Sequence, residues 1–147
     1  MSKASSTAGL AKWHAYVKTH DHAALWDLLH HPDAVFESPV VHTPQRGRDI
    51  TFKYLCGADK VLGGPTFAYR GEWRSQTGAV LEFESEIDGI AINGVDIITF
   101  DDEGRITHFK VMVRPLKAIN LLHRLMGEEL MRQDSAASAV KSQPPPR

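Results

Sequence analysis

The stretch Gly94-Val95-Asp96-Ile97-Ile98-Thr99-Phe100-Asp101-Asp102-Glu103-Gly104-Arg105-Ile106 organises the reading of this chain. Its first seven residues favour a strand. With period two, Asp96 shares a face with Ile92, Ile98 and Phe100, while Val95, Ile97 and Thr99 point the other way. The acidic-Gly run that follows is a hairpin turn. Residues 106–114 then alternate again, with Thr107, Phe109, Val111 and Val113 on one face, and Pro115 suits the first turn of a closing helix. A carboxyl group among large apolar side chains is costly unless it is hydrogen-bonded or protonated. Such a group tends to have a raised pKa and marks a candidate site. Two plainer readings of Asp96 stay open: a structural carboxylic acid inside a cavity, or an alternation broken by a bulge at Gly94 that turns it to solvent.

Upstream, residues 79–87 alternate strictly, with Leu81, Phe83, Ser85 and Ile87 on one face and Glu82, Glu84 and Glu86 on the other. Asp88-Gly89 reads as a turn or a bulge between this strand and the next. Residues 66–75 are rich in aromatic and β-forming types, and 34–38 form a short strand closed by Pro39. Helical spacing appears three times before the sheet: Leu10, Trp13 and Val17; Leu25, Leu28 and Leu29 behind an Asp21 N-cap; and Ile50, Tyr54, Ala58 and Val61, stopping at Gly63-Gly64. Residues 40–46 read as a loop. The closing helix carries Leu116, Ile119, Leu122, Leu125 or Met126, and Leu130 on one stripe. Residues 1–8 read as a flexible leader, 9–132 as a single domain, and 133–147 as a disordered Ser/Ala/Pro tail.

Helices followed by an antiparallel meander define an α+β class. A sheet curving around those helices leaves a cavity open at one end. Its outer face, with Val95, Ile97 and Met112, is apolar enough to suggest a homodimer. With 147 residues the chain supports one core, and 17 basic against 18 acidic residues give no reason to expect nucleic acid or an anionic membrane. No apolar run reaches the ~20 residues needed to span a bilayer. The lone Cys56 forms no internal disulfide, which fits a reducing, cytoplasmic setting.

Three segments carry a family resemblance: Asp33-Ala34-Val35-Phe36-Glu37-Ser38-Pro39, Gln45-Arg46-Gly47-Arg48-Asp49-Ile50, and the strand-turn-strand around Asp96. In this order they resemble the nuclear transport factor 2-like superfamily, in its SnoaL-like and ketosteroid-isomerase-like branch. The resemblance implies a cone of curved antiparallel sheet wrapped around N-terminal helices, with a C-terminal helix, whose interior binds a small hydrophobic molecule. It places Asp96 where ketosteroid isomerases carry a protonated aspartic acid that hydrogen-bonds a substrate enolate. SnoaL-like cyclases resemble the chain at that position too, with an aspartate as acid/base. Tyr54 resembles a supporting tyrosine of the isomerases. Two positions depart from the isomerase pattern. Ser38 stands where the general base belongs, and a serine without a partner base has no useful basicity. Trp13 stands where the oxyanion-hole tyrosine aligns, with Tyr16 one turn further along.

The catalytic candidates are therefore Asp96 and, as replacement base, His42 in the loop after the first strand, since histidine is suited to proton transfer near neutral pH. A solvated loop histidine is the plainer reading of His42. Trp13, Tyr16, Ser38, Tyr54, Phe83, Ile98, Phe109 and Val111 are the candidate ligand-binding residues, with ordinary core packing as the alternative for the apolar ones. His20 and His22, and His30 and His31, lack the i, i+4 spacing of metal ligands, so no metal is expected. No glycine-rich phosphate loop appears, so no cofactor is implied. The expected function is a small apolar ligand's binding protein, acting as an isomerase, cyclase or (de)hydratase through Asp96, or else a non-catalytic binding or dimerisation module of the same fold.

Overall fold

The computed structural model describes residues 2–142, with side chains described over 6–137. Helices α1 (Ser2–Thr19) and α2 (His22–Leu28) come first, then β1 (Val35–Glu37), β2 (Gln45–Arg46) and α3 (Arg48–Leu62). The strands β3 (Ala68–Arg74), β4 (Gly78–Ile87), β5 (Ile90–Phe100) and β6 (Ile106–Arg114) follow, and α4 (Leu116–Ser142) closes the chain. The six strands form one sheet in the order β2-β1-β6-β5-β4-β3. β3 to β6 are an antiparallel meander, whereas β1 runs parallel to β6. This is the expected α+β cone, a curved sheet with its helices packed on the inner face.

Local chemistry explains the corners. Asp21 caps α2, its Oδ1 accepting from the N–H groups of Ala23 and Ala24. At the β4–β5 hairpin Asp88 and Gly89 take φ of +53° and +76°, the paired left-handed residues that a tight type I′ turn requires. The junction is thus a turn rather than a bulge. At the β5–β6 turn, Asp101 Oδ1 accepts from the N–H groups of Glu103 and Arg105. The pairing across Gly94 is continuous, Phe83 opposite it on β4 and Val113 on β6, so the alternation around Asp96 is unbroken.

Inner-face residues form the core: Leu81 and Phe83 of β4, Ile92, Ile98 and Phe100 of β5, and Phe109 and Val111 of β6, packed against Leu10, Trp13 and Leu122 from the helices. The outer face keeps Glu84 and Glu86 in solvent.

Five expectations need correction. Residues 45–46 are a short strand, because Gln45 and Arg46 pair back onto Phe36 and Val35. Helix begins at Ser2 rather than Gly9, where Ser6 is buried and donates to the Ser75 carbonyl. α4 continues past Arg132 to Ser142, with Lys53 bonded to Asp134; tail residues 143–147 lie outside the described residues. The buried face of α4 is Ala118, Leu121, Leu122, Met126 and Glu129, while Leu116 is exposed. Pro115 stands just before the helix, its carbonyl accepting from Ala118 and Ile119. Ala118 is the fully buried residue of that first turn.

Candidate active site

A cavity of about 190 Å3 lies between the sheet and the helices. Trp13, Tyr16, Val17 and His20 line it from the end of α1, and Leu55, Ala58, Asp59 and Leu62 from α3. The sheet contributes Phe36, Tyr69, Phe83, Asp96, Phe109 and Val111, and Ser38, Pro39 and Val40 follow β1 at one side. The lining is mostly apolar; besides Ser38, its polar groups gather in two places.

The first is Asp96. It sits on central strand β5, flanked by Leu81 and Val111 in register, and is 6% exposed. Tyr69, two strands away on β3, donates its hydroxyl to Asp96 Oδ2 at 2.5 Å, and Trp13 Nε1 donates to Tyr69 Oη at 3.0 Å. An indole N–H can only donate. Tyr69 Oη thus accepts from Trp13 and donates its own proton to Asp96 Oδ2. Any proton on Asp96 then sits on Oδ1, the oxygen that Tyr69 does not hold. Burial drives the Asp96 carboxyl from its ordinary 3.8 up to about 7, with the Tyr69 hydrogen bond pulling the other way. Tyr69 is itself pushed well above its usual range, by burial first, then by the Asp96 charge and hydrogen bond.

The second polar group spans α1 and α3. His20 Nδ1 lies 2.6 Å from Asp59 Oδ1, and His22 Nε2 lies 3.5 Å from Asp59 Oδ2. Tyr16, one turn before His20, is pushed above its ordinary range by burial and then by the Asp59 carboxylate. Among the described residues its Oη is one of two buried side-chain atoms without a hydrogen bond of good geometry, the other being His30 Nδ1. Burial, then Asp59, also pushes the Cys56 thiol up to about 11, which keeps it unreactive.

Of the residues expected at the site, Asp96, Trp13, Tyr16, Ser38, Phe83, Phe109 and Val111 line this one cavity. Ser38 Oγ accepts from the Val40 N–H and serves the local turn. Three expectations fail. His42 is exposed and lies outside the lining, because the chain folds back through β2 and carries the intervening loop outward. Tyr54 lies outside it too, its ring packed on Phe36 at 5.4 Å. Ile98, next along the inner face from Asp96, is 1% exposed core. No sequence signal singles out Tyr69 or Asp59, and His20 is weighed from sequence only as a metal ligand. Among the described residues no group of three or more His, Cys, Asp and Glu has metal-site geometry.

Neither a protein-family model nor a curated protein matches the chain. Solved structures do. A steroid delta-isomerase from Pseudomonas aeruginosa is 37% identical, with TM-score 0.78, over 92% of this chain and 96% of that one. A Silicibacter pomeroyi protein with a cystatin-like fold is 25% identical, with TM-score 0.78, over 91% of this chain and 93% of that one. An epoxide hydrolase/cyclase-like enzyme of pyran ring formation in the polyether salinomycin is 18% identical, TM-score 0.61, over 78% of this chain and 95% of that one, a likeness of fold alone. Curved sheet and packed helices make this a protein built around an internal cavity. The chain belongs to the nuclear transport factor 2-like superfamily, in its SnoaL-like and ketosteroid-isomerase-like branch.

Proposed function

We propose that the chain binds a small, largely apolar molecule bearing one hydrogen-bond-accepting oxygen, typically a carbonyl, and acts on it by acid/base chemistry at Asp96. The observation that carries this reading is the buried Asp96 carboxyl, poised at about 7, whose Oδ2 is committed to Tyr69. Its Oδ1 is the proton-bearing atom. A carboxylic acid held neutral in an apolar cavity donates a strong hydrogen bond to an oxygen that gains negative charge during reaction. The Tyr16 hydroxyl supplies a second donor on the same lining. The matching reaction classes are isomerisation, cyclisation, dehydration or hydration at a carbon next to the carbonyl. At about 190 Å3 the cavity is smaller than the ~300–1,000 Å3 of drug-sized sites, which favours a compact ligand.

Two further parts belong to this reading. Met112 and Trp73 are 52% and 59% exposed, and Met112 lies on the outer sheet face with Val95 and Ile97. That apolar face supports a homodimer, and sedimentation showing only monomer at micromolar concentration would count against it. No helix among the described residues is long and apolar enough to cross a membrane, and the reading places the protein in the cytoplasm.

The test is ligand screening by native mass spectrometry with small cyclic ketones such as 2-tetralone, alongside steroids, terpenoids and polyketide-like aromatics. Wild type should bind at least one carbonyl compound, and Asp96→Leu should bind it about tenfold more weakly, the loss of one hydrogen bond to a buried acid. Equal binding by both proteins, or no binding across the panel, refutes the reading.

A further inference from the structure

An acid alone does not move a proton from carbon, and Ser38 has no basicity to offer. The cavity holds another group of the right kind. We propose that His20, oriented by Asp59, is the base that works opposite Asp96, an inference that rests on the ligand reading above.

Position comes first. Among the described residues, His20 is the one histidine that lines the cavity. His14 pairs with Glu72, and His108 with Glu37, both away from the lining. The root of the side chain is fixed at a rigid corner. His20 N–H donates to the Tyr16 carbonyl at 2.7 Å and closes α1, and the next residue, Asp21, caps α2. Its φ is +56°, a left-handed conformation that glycine adopts without penalty and other residues adopt rarely. A histidine holds that position at some cost in backbone energy.

Polarity comes next. The carboxylate of Asp59 can only accept, so His20 Nδ1 at 2.6 Å must be the donor. In the neutral ring the proton is then on Nδ1, and Nε2 carries the free lone pair. Asp59 is held in turn, since His22 Nε2 approaches its other oxygen at 3.5 Å. The Asp59 side chain is 15% exposed and that of His20 44%, so the pair stands at the cavity mouth with the carboxylate on the protected side. This is the arrangement by which a carboxylate fixes a histidine's tautomer and stabilises the imidazolium that forms. Asp59 is the positioning residue and His20 the catalytic one.

With a ketone whose oxygen faces Asp96, the step balances without a co-reactant. The α-carbon's C–H proton passes to His20 Nε2, and the C–H electron pair becomes the C=C of the enol. The carbonyl oxygen takes the proton of Asp96 Oδ1. As the imidazolium, its hydron exchanged with solvent, delivers a hydron to carbon at the same or a conjugated position, the enol O–H proton returns to Asp96 Oδ1 and the C=O re-forms, which gives exchange or isomerisation.

The probe is 2-tetralone in D2O. Its α-hydrogen exchange is followed by proton NMR and its binding by ligand-observed NMR, with wild type, His20→Gln and Asp59→Asn. Exchange should fall about 100-fold or more in His20→Gln, the usual worth of a positioned base, with Kd within about threefold of wild type. Asp59→Asn should fall in the same direction. Long-range proton–nitrogen NMR at pH 9 should find His20 protonated on Nδ1 in wild type. Wild-type exchange in His20→Gln with binding retained overturns the base and leaves the ligand reading standing, as does binding without exchange in the wild type. Failure of the whole ketone panel to bind overturns the ligand reading itself. An Nε2-protonated His20 in wild type overturns the pair whatever binds.

Discussion

Replacing Asp96 by asparagine keeps the size of the side chain and the oxygen that accepts from Tyr69, and removes only the titration. The carboxyl moves from its ordinary 3.8 to about 7 on folding, because burial penalises its charge more than the Tyr69 hydroxyl relieves it. Between those two values the folded chain holds more protons than the unfolded one. The slope of unfolding free energy with pH is therefore negative, and stability falls as pH rises. Asp96 is without cost below 3.8, and its full cost is reached once pH has passed about 7. At about 1.36 kcal/mol per pH unit, the interval from 3.8 to about 7 corresponds to about 4 kcal/mol.

Asp96→Asn lacks this term, and every other titrating group is common to the two proteins. The stability difference, variant minus wild type, should therefore grow by about 4 kcal/mol between pH 4 and pH 8.5. For a chain of this size that is a relative Tm gain of about 8–16 °C for the variant. Urea unfolding at a series of pH values measures the first quantity and calorimetry the second. A difference that stays flat within about 0.5 kcal/mol would show that Asp96 titrates alike in both states, and the buried acid at the centre of the functional reading would be gone. A difference that shrinks with rising pH would be equally fatal, since it means a carboxylate stabilised in the fold.

Tyr69→Phe removes the bond that lowers the Asp96 carboxyl, so its pKa should climb above about 7, as read by carboxyl carbon NMR; an unmoved or lower value would contradict the relay. The same change strands the Trp13 N–H and should cost about 1–3 kcal/mol in urea unfolding. Gly94→Ala would set a Cβ 2.5 Å from the Met112 carbonyl oxygen and 2.6 Å from the Phe83 ring. Overpacking of about 1–3 kcal/mol should follow, and an unchanged Tm would refute the close packing of β5 on both neighbours. His42→Ala should leave 2-tetralone binding and exchange at wild-type levels, because His42 is exposed and outside the cavity; a tenfold loss in either would return it to the site.

Much of the cone was legible because its signals are local. Strict alternation from Ala79 onward, the Asp88-Gly89 turn and the acidic turn at Asp101 pin the register of β4, β5 and β6, and with them the inward aim of Asp96. Asp21 announced the start of α2 by its own chemistry. What failed to show depends on placement between distant elements. The pairing of β3 with β4 slips between Tyr69 and Gly71, so counting by twos along 66–75 does not reveal which aromatic reaches Asp96. His20 and Asp59 meet across 39 residues, from the end of one helix to the last turns of another, and no spacing rule links such positions. His42 falls outside the cavity because the chain folds back through β2, whose two residues do not announce themselves as a strand.

The same limit explains why the identity of a site's residues is easier to read than its protonation. Trp13, Tyr69 and Asp96 could be arranged to hold a proton on either carboxyl oxygen. Tyr69 accepts from the Trp13 indole and donates to Oδ2, which leaves Oδ1 as the acidic atom. At the mouth the logic runs in reverse. Asp59 can only accept, which commits His20 Nδ1 to donate and leaves Nε2 basic. One cavity thus carries an oriented acid on its sheet side and an oriented base on its helix side, each set by the hydrogen bond of a neighbour. Acid/base chemistry at a carbon next to a carbonyl needs those two polarities together, and Asp96 without its counterpart would define only a place to bind.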